Sequence, residues 1–200
     1  MIPIRQPARA RPDATDSSAV GLPPVEAKIE NPKSTGQRVL AYRWLWIFAL
    51  LAFALDQITK VWINHRLPLG SYGVNGVPVI RGFFNIVHVG NTGAAWSMFT
   101  GRSSLLAGLA LATLAAIFLW RHQLGLRQPT AQTCFGLLCG GTVGNLVDRL
   151  VHGHVIDFLD FHFGSYTYPT FNLADAAICS GVIGYILWSL RQPSPAGGNQ

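Results

Sequence analysis

Beyond residue 43 the chain has no glutamate and five aspartates: Asp56, Asp148, Asp157, Asp160 and Asp175. Asp157 is flanked by Val155, Ile156, Phe158 and Leu159. Asp175 has Asn172 one turn before it on the same helix face and an apolar run after it. Carboxyls in such surroundings are poorly hydrated, and desolvation favours the protonated form. Two of them brought close cannot both ionise easily and come to share a proton. One then serves as base toward a water and the other as acid toward a carbonyl, the chemistry of an aspartic protease. The spacing permits such a dyad but does not demand one.

The other acids have structural readings. Asp56 and Lys60 are four residues apart, a helical ion-pair spacing. Asp148, with Asn145 one turn back and Arg149 beside it, reads as a hydrogen-bonded knot at a helix end. Asp160 reads as solvated. The segment His152–His162 holds three histidines with Asp157 and Asp160, donor types that suit Zn²⁺, but its spacing matches no closed zinc motif. Cys134, Cys139 and Cys179 lie in apolar stretches and read as small buried hydrophobes. Neither they nor Ser97 has an evident base partner, which disfavours nucleophilic catalysis.

These residues must be positioned by elements that lie in a bilayer. Half of the 200 residues are hydrophobic and 12% are charged, against about 25% charged in a soluble domain. Eleven charges fall in the first 43 residues, a region rich in proline without apolar periodicity. Residues 1–40 are therefore expected to be a disordered cytoplasmic tail, and 192–200 a disordered C-terminus. Residues 41–191 are expected to form the membrane domain, all-α, with helices at about 42–64, 103–121, 128–148 and 172–190. Each apolar run approaches the roughly 20 residues that a span needs. The first, Trp44–Leu55, also resembles a signal-peptide core ending in Ala52-Phe53-Ala54, but apolar character resumes at Ile58, Val61, Trp62 and Ile63. The net charge of +6 forms no dense basic run or aromatic platform, so nucleic acid is not expected as a partner. It reports topology instead.

Counting Lys and Arg puts both termini inside, with ten of the 15 on that side, and loops 64–102 and 148–171 outside. All five aspartates then cluster at or near the outer boundary, where ionisable residues are functional by default. Asn75-Gly76 between β-branched runs predicts a hairpin. A small amphipathic sheet in the first outer loop would lie on the membrane surface. Gly140, Gly141 and Gly144 are expected to keep one face of the third helix small.

An ordered series of motifs resembles the bacterial lipoprotein signal peptidases, or signal peptidase II, over about 42–190. The series is Asp56-Gln-Ile-Thr-Lys60, Asn91-Thr-Gly-Ala-Ala-Trp-Ser97, Gly140 to Arg149, Val155-Ile-Asp157-Phe158 and Phe171-Asn172-Leu-Ala-Asp175. The resemblance implies a membrane aspartic endopeptidase of four transmembrane helices with a small β-sheet cradle in the first outer loop. It implies a catalytic pair at Asp157 and Asp175. Asn91 would lie along the substrate path, Asn145, Arg149 and Asn172 would be supporting groups, and Asp56, Lys60 and Asp148 mainly structural. The implied substrate is a diacylglyceryl-modified prolipoprotein, cut just before the lipidated Cys in the bacterial inner membrane, among membrane lipids, with no metal or cofactor; a monomer is expected because one chain can build the site. The tail of about 40 residues is extra to the family pattern. A transporter or proton channel would place its acids near the midplane, often in repeats. A non-catalytic lipid-binding protein would not need both Asp157 and Asp175.

Overall fold

The computed structural model describes residues 39–72 and 75–192. Nearly all of the expected tail (1–40) and C-terminal segment (192–200) lies outside the described residues. In chain order come α1 (Arg43–Arg66), β1 (Val77–Ile80), β2 (Phe84–Asn91) and a short 3₁₀ turn (Ala95–Ser97). Then follow α2 (Ser103–Leu119), α3 (Pro129–Val151), β3 (Val155–Phe163), β4 (Tyr166–Thr167) and α4 (Leu173–Leu190).

Three helices, α1, α3 and α4, are long and apolar enough to cross a membrane. The fourth, α2, is apolar but has 17 residues. α3 is the central helix, packed on α1, α4 and α2. It starts at Pro129, whose missing N–H falls where a helix has no internal acceptor for it. α4 starts with a reciprocal cap: the Asn172 side chain accepts from the Asp175 N–H, and the Asp175 side chain accepts from the Asn172 N–H. Large apolar side chains of the helices, such as Leu50, Ile58, Phe118 and Ile183, point outward. In water this would be a liability; in a bilayer it is the solvated state.

The glycines of α3 serve two faces rather than the single one expected. A Cβ at Gly136 or Gly140 would strike the backbone of α1 at Leu45 or Ala49, whereas one at Gly141 would strike Ala174 of α4. Small residues recurring at this spacing let helix backbones approach where no hydrophobic force drives packing.

The four strands form one antiparallel sheet in the order β1-β2-β3-β4. Only half of it comes from the first loop. β3 and β4 come from residues 155–167, a loop in which no strand was expected. Polar residues irregularly spaced among apolar ones, without a clean period of two, hid a nine-residue strand there. The hairpin turn is also displaced. β1 and β2 join through Arg81-Gly82-Phe83, with Gly82 at φ +75°, while Asn75 and Gly76 lie just before β1. The sheet root packs on the end of α1 through Ile63, Ile156 and Phe158. At the opposite end of the helices, Ile117, Leu126, Ala131 and Phe135 form a second cluster. There the buried Gln132 bonds the Ala41 and Leu126 carbonyls and the Trp44 N–H, satisfying backbone groups at the start of α1.

Gly140→Ala is expected to destabilise the detergent-solubilised protein by about 1–3 kcal/mol, because a Cβ there meets the Ala49 backbone and the Ala52 Cβ, neither of which can yield without moving α1. Gly108→Ala on α2 meets nothing within 4 Å and should be neutral or slightly stabilising. Thermal unfolding of the two variants side by side checks this.

Candidate active site

The site forms where the sheet root meets the ends of α1, α3 and α4. Its base is Lys60, 1% exposed. The Nζ lies 2.8 Å from Asp56 Oδ2 and 2.8 Å from Asp148 Oδ2, and donates to Asn145 Oδ1 at 2.8 Å. An uncompensated ammonium in such a place would cost several kcal/mol; here three oxygens replace its water. The two carboxylates are held in turn. Asp56 Oδ1 accepts from the Ala174 N–H in the first turn of α4 (3.0 Å), where the helix dipole favours a negative charge. Asp148 Oδ2 accepts from the Ile156 N–H of β3 (3.1 Å). Gln57 Nε2 bridges Asp56 Oδ2, Asp148 Oδ1 and the Gly144 carbonyl. Gln57 belongs to the Asp56–Lys60 motif, yet the sequence alone assigns it no role; its place beside Asp56 is the available signal.

One layer outward stand Asp157 and Asp175. Asn172, fully buried, donates to Asp157 Oδ1 (2.7 Å), Asn145 Oδ1 (3.2 Å) and the Ile156 carbonyl (3.3 Å). Asn145 Nδ2 donates to Asp175 Oδ1 at 2.8 Å. Asn91 Nδ2, reaching from β2, donates to Asp157 Oδ2 at 3.0 Å. The two carboxyls, 18 residues apart in sequence, thus share one amide network rooted on Lys60. Burial first, and then the negative charge of Asp175, push the Asp157 carboxyl up to about 7, against the opposing hydrogen bonds from Asn91 and Asn172.

Asp157 opens onto a cavity of about 490 Å³. Gly90 and Asn91 line it from β2, and Tyr168 and Thr170 from the segment after β4. Trp96 closes another side. The residue is held at φ +54°, an unusual conformation for a tryptophan, and its ring meets Tyr168 edge-on at 6.1 Å. Neither aromatic residue was singled out from sequence. Arg149 fastens the turn beside the cavity: Nη2 donates to the Gly93 carbonyl (3.1 Å) and Nη1 to the Asn145 carbonyl (3.2 Å). Within the triplet Asn145, Asp148 and Arg149 the one side-chain bond among the described residues runs from Arg149 to the Asn145 carbonyl; Asp148 and Asn145 meet through Lys60 of α1, and other bonds reach β3, α4 and the turn at Gly93. Asp148 lies inside α3, which runs on to Val151.

Asp160 is 1% exposed, not solvated. Its Oδ2 accepts from Asn85 Nδ2 (3.2 Å), its cross-strand partner, and lies 2.7 Å from His162 Nε2. It stands apart from the Asp157 network because strand neighbours three apart point to opposite faces. Among the described residues no group of three His, Cys, Asp or Glu is disposed to hold a metal ion.

Apolar helices that converge on a buried carboxyl and a half-buried one beside an open cavity define a membrane enzyme. The sequence profile of the family described as signal peptidase (SPase) II matches residues 48–191, and the chain belongs to that peptidase family. The lipoprotein signal peptidase of Aeromonas hydrophila is 40% identical over 153 residues, covering 74% of this chain and 89% of that one. That of Nostoc punctiforme is 39% identical over 162 residues, covering 80% and 97%. A bacterial membrane enzyme solved by the in meso method at 2.3 Å superposes with a TM-score of 0.68 at 29% identity, covering 78% of this chain and 93% of that one.

A raised carboxyl binds its proton more tightly in the folded than in the unfolded chain. Its contribution to stability therefore falls as pH rises from about 4 toward 7. Asp157→Asn removes that penalty. The variant should be more stable to unfolding than wild type at pH 8 by on the order of 1–3 kcal/mol, with the difference shrinking toward pH 5. Lys60→Met should instead destabilise by about 3–5 kcal/mol, because it leaves Asp56 and Asp148 buried without their cation.

Proposed function

We propose that Asp157 and Asp175 are the catalytic pair of a membrane aspartic endopeptidase that removes the signal peptide from diacylglyceryl-modified prolipoproteins, cutting just before the lipidated Cys. The observation that carries this reading is the single amide network in which Asn172 and Asn145 hold both carboxyls, with Asp157 facing the cavity. Three buried carboxyls, of Asp56, Asp148 and Asp157, and the half-buried one of Asp175 stand around two cations, Lys60 and Arg149. This excess of negative charge favours a proton held between Asp157 and Asp175.

In the reaction the ionised carboxylate takes a proton from water as the water oxygen attacks the scissile carbonyl carbon. The protonated carboxyl gives its proton to the carbonyl oxygen. The tetrahedral diol then collapses: the C–N bond breaks, the leaving nitrogen of the Cys takes the proton that came from water, and a diol hydroxyl returns its proton to the other carboxylate, which releases the acid product and restores the singly protonated pair. No acyl-enzyme forms. Asn91 and Asn172 keep the Asp157 oxygens directed, and Asn145 does so for Asp175. Arg149 holds the turn at Gly93 that borders the substrate path. Asp56, Lys60 and Asp148 are structural.

Residues 41–191 make up the protease domain, with α2 as a fourth, short span; 17 residues rise about 26 Å, near the lower limit for the hydrocarbon core. Both termini are cytoplasmic and the site opens at the outer face of the bacterial inner membrane, the orientation that the excess of Lys and Arg at the opposite ends supports. Such a site admits an apolar signal helix sideways from the lipid. Because all of its groups come from one chain, a monomer suffices.

The test is cleavage of a diacylglyceryl-modified prolipoprotein by purified protein. Asp157→Asn and Asp175→Asn should each fold and lose at least about 10²-fold in turnover, the lower end of what a general acid or base contributes. Asp160→Asn should stay within a few-fold of wild type. Near-normal turnover by either dyad variant overturns the assignment. In wild type, kcat should fall as pH rises through about 7, where Asp157 loses the proton that one member of the pair must hold.

A further inference from the structure

A second cavity, of about 530 Å³, lies at the end of the helices remote from Asp157 and Asp175. It is a groove between α1 and α2 floored by α3, and it exists because α2 packs chiefly on α3 and leaves α1 uncovered. Its walls run from Tyr42 to Phe53 on α1, face Leu114 on α2, and rest on Val143 of α3. Apart from the mouth the lining is apolar. At the mouth stands Arg121, the one charged residue of the lining. Its guanidinium lies 4.7 Å from the Phe118 ring and donates to the Phe118 carbonyl at 2.7 Å. Among the described residues Arg121 takes part in no ion pair, so most of its five N–H donors remain for an anion.

We propose that this groove is a binding site for one phospholipid with an anionic headgroup, its acyl chain along α1 and α3 and its phosphate on Arg121. Two observations select this occupant over a substrate helix. The stretch from Tyr42 to Phe53 rises about 16 Å, roughly half of a hydrocarbon core of about 30 Å: the depth of one leaflet, not the length of a spanning segment. The mouth is also cationic, and a signal peptide would bring its positively charged n-region to this end, where Arg121 repels it. On the orientation proposed above, on which this inference rests, the lipid belongs to the cytoplasmic leaflet. There it fills the gap beside α2 and braces the least supported helix of the domain.

Native mass spectrometry of the detergent-purified full chain tests the site, with an equimolar mixture of phosphatidylglycerol and phosphatidylethanolamine of identical acyl chains. Wild type should prefer phosphatidylglycerol for the first bound lipid by about fivefold, the factor one Lys or Arg supplies toward an anionic headgroup. Arg121→Gln should abolish the preference, and Arg191→Gln, a charge removed from the same end on α4, should retain it. Val143→Phe, which fills the groove, should lower first-lipid occupancy of both species. No preference in wild type, equal losses in Arg121→Gln and Arg191→Gln, or wild-type occupancy in Val143→Phe would each overturn the proposal. Prolipoprotein cleavage on the same samples reports separately on the Asp157–Asp175 reading: wild type that binds lipid as expected but does not cleave sinks that reading and leaves the lipid site standing.

Discussion

Lys60 carries a full positive charge into a part of the helix bundle where water does not reach, and the surrounding structure is arranged to replace its hydration shell. Asp56 comes from the same helix, Asp148 and Asn145 from α3. The acids bring further elements with them, since Asp56 accepts from the first turn of α4 and Asp148 from the start of β3. One ammonium thus fixes the register of three helices and the root of the sheet. Apolar packing alone would not do this, because lipid solvates leucine as well as another helix does. A polar knot that is satisfied in one arrangement only provides the specificity that the hydrophobic effect withholds inside a membrane. Close approach is its precondition: a side chain at Gly144 would occupy the place of the Asp56 carboxylate.

Asparagine connects this foundation to the outer carboxyls. An amide gives and accepts at once without changing charge, so it can relay position without competing for the proton. Asn145 accepts from Lys60 and Asn172 through its oxygen and donates to Asp175 through its nitrogen. Asn172 does the same between its helix cap and Asp157. A carboxylate in either place would add charge to a cluster already rich in it, and an apolar residue would leave the outer acids free to rotate. The amides therefore let two carboxyls be held in one network while the protonation state is left to the pair.

Much of this was legible in the sequence because the bilayer imposes long signals. Long apolar runs marked the helices, and the five aspartates beyond residue 43, in so apolar a stretch, could hardly be scattered at random. What stayed hidden depends on faces and on partners remote in sequence. β3 carries Asp157, Phe158, Asp160 and His162 in one run, and no alternation shows until the partner strand defines two sides. Asn75-Gly76 has the composition of a hairpin turn, yet Arg81-Gly82 makes it, since Gly82 adopts the positive φ between strands that pair. Gln57 is unremarked in sequence because its three partners are either its own neighbour or almost 90 residues away.

Asp157 and Asp160 show why burial alone does not mark a functional acid. Both are buried, on one strand, three residues apart. Asp160 faces Asn85 and His162, and a histidine can supply the countercharge that an ionised carboxylate needs. These bonds fasten β2 to the outer end of β3. Asp157 faces two amides, a second carboxyl and a cavity, but no cation within bonding distance among the described residues. Neutral donors orient its oxygens without neutralising them, so burial raises its affinity for a proton while the cavity gives that proton somewhere to go. The chemical difference between the two residues lies in what the opposite faces of a single strand present, and the sheet exists in this fold to keep those faces apart.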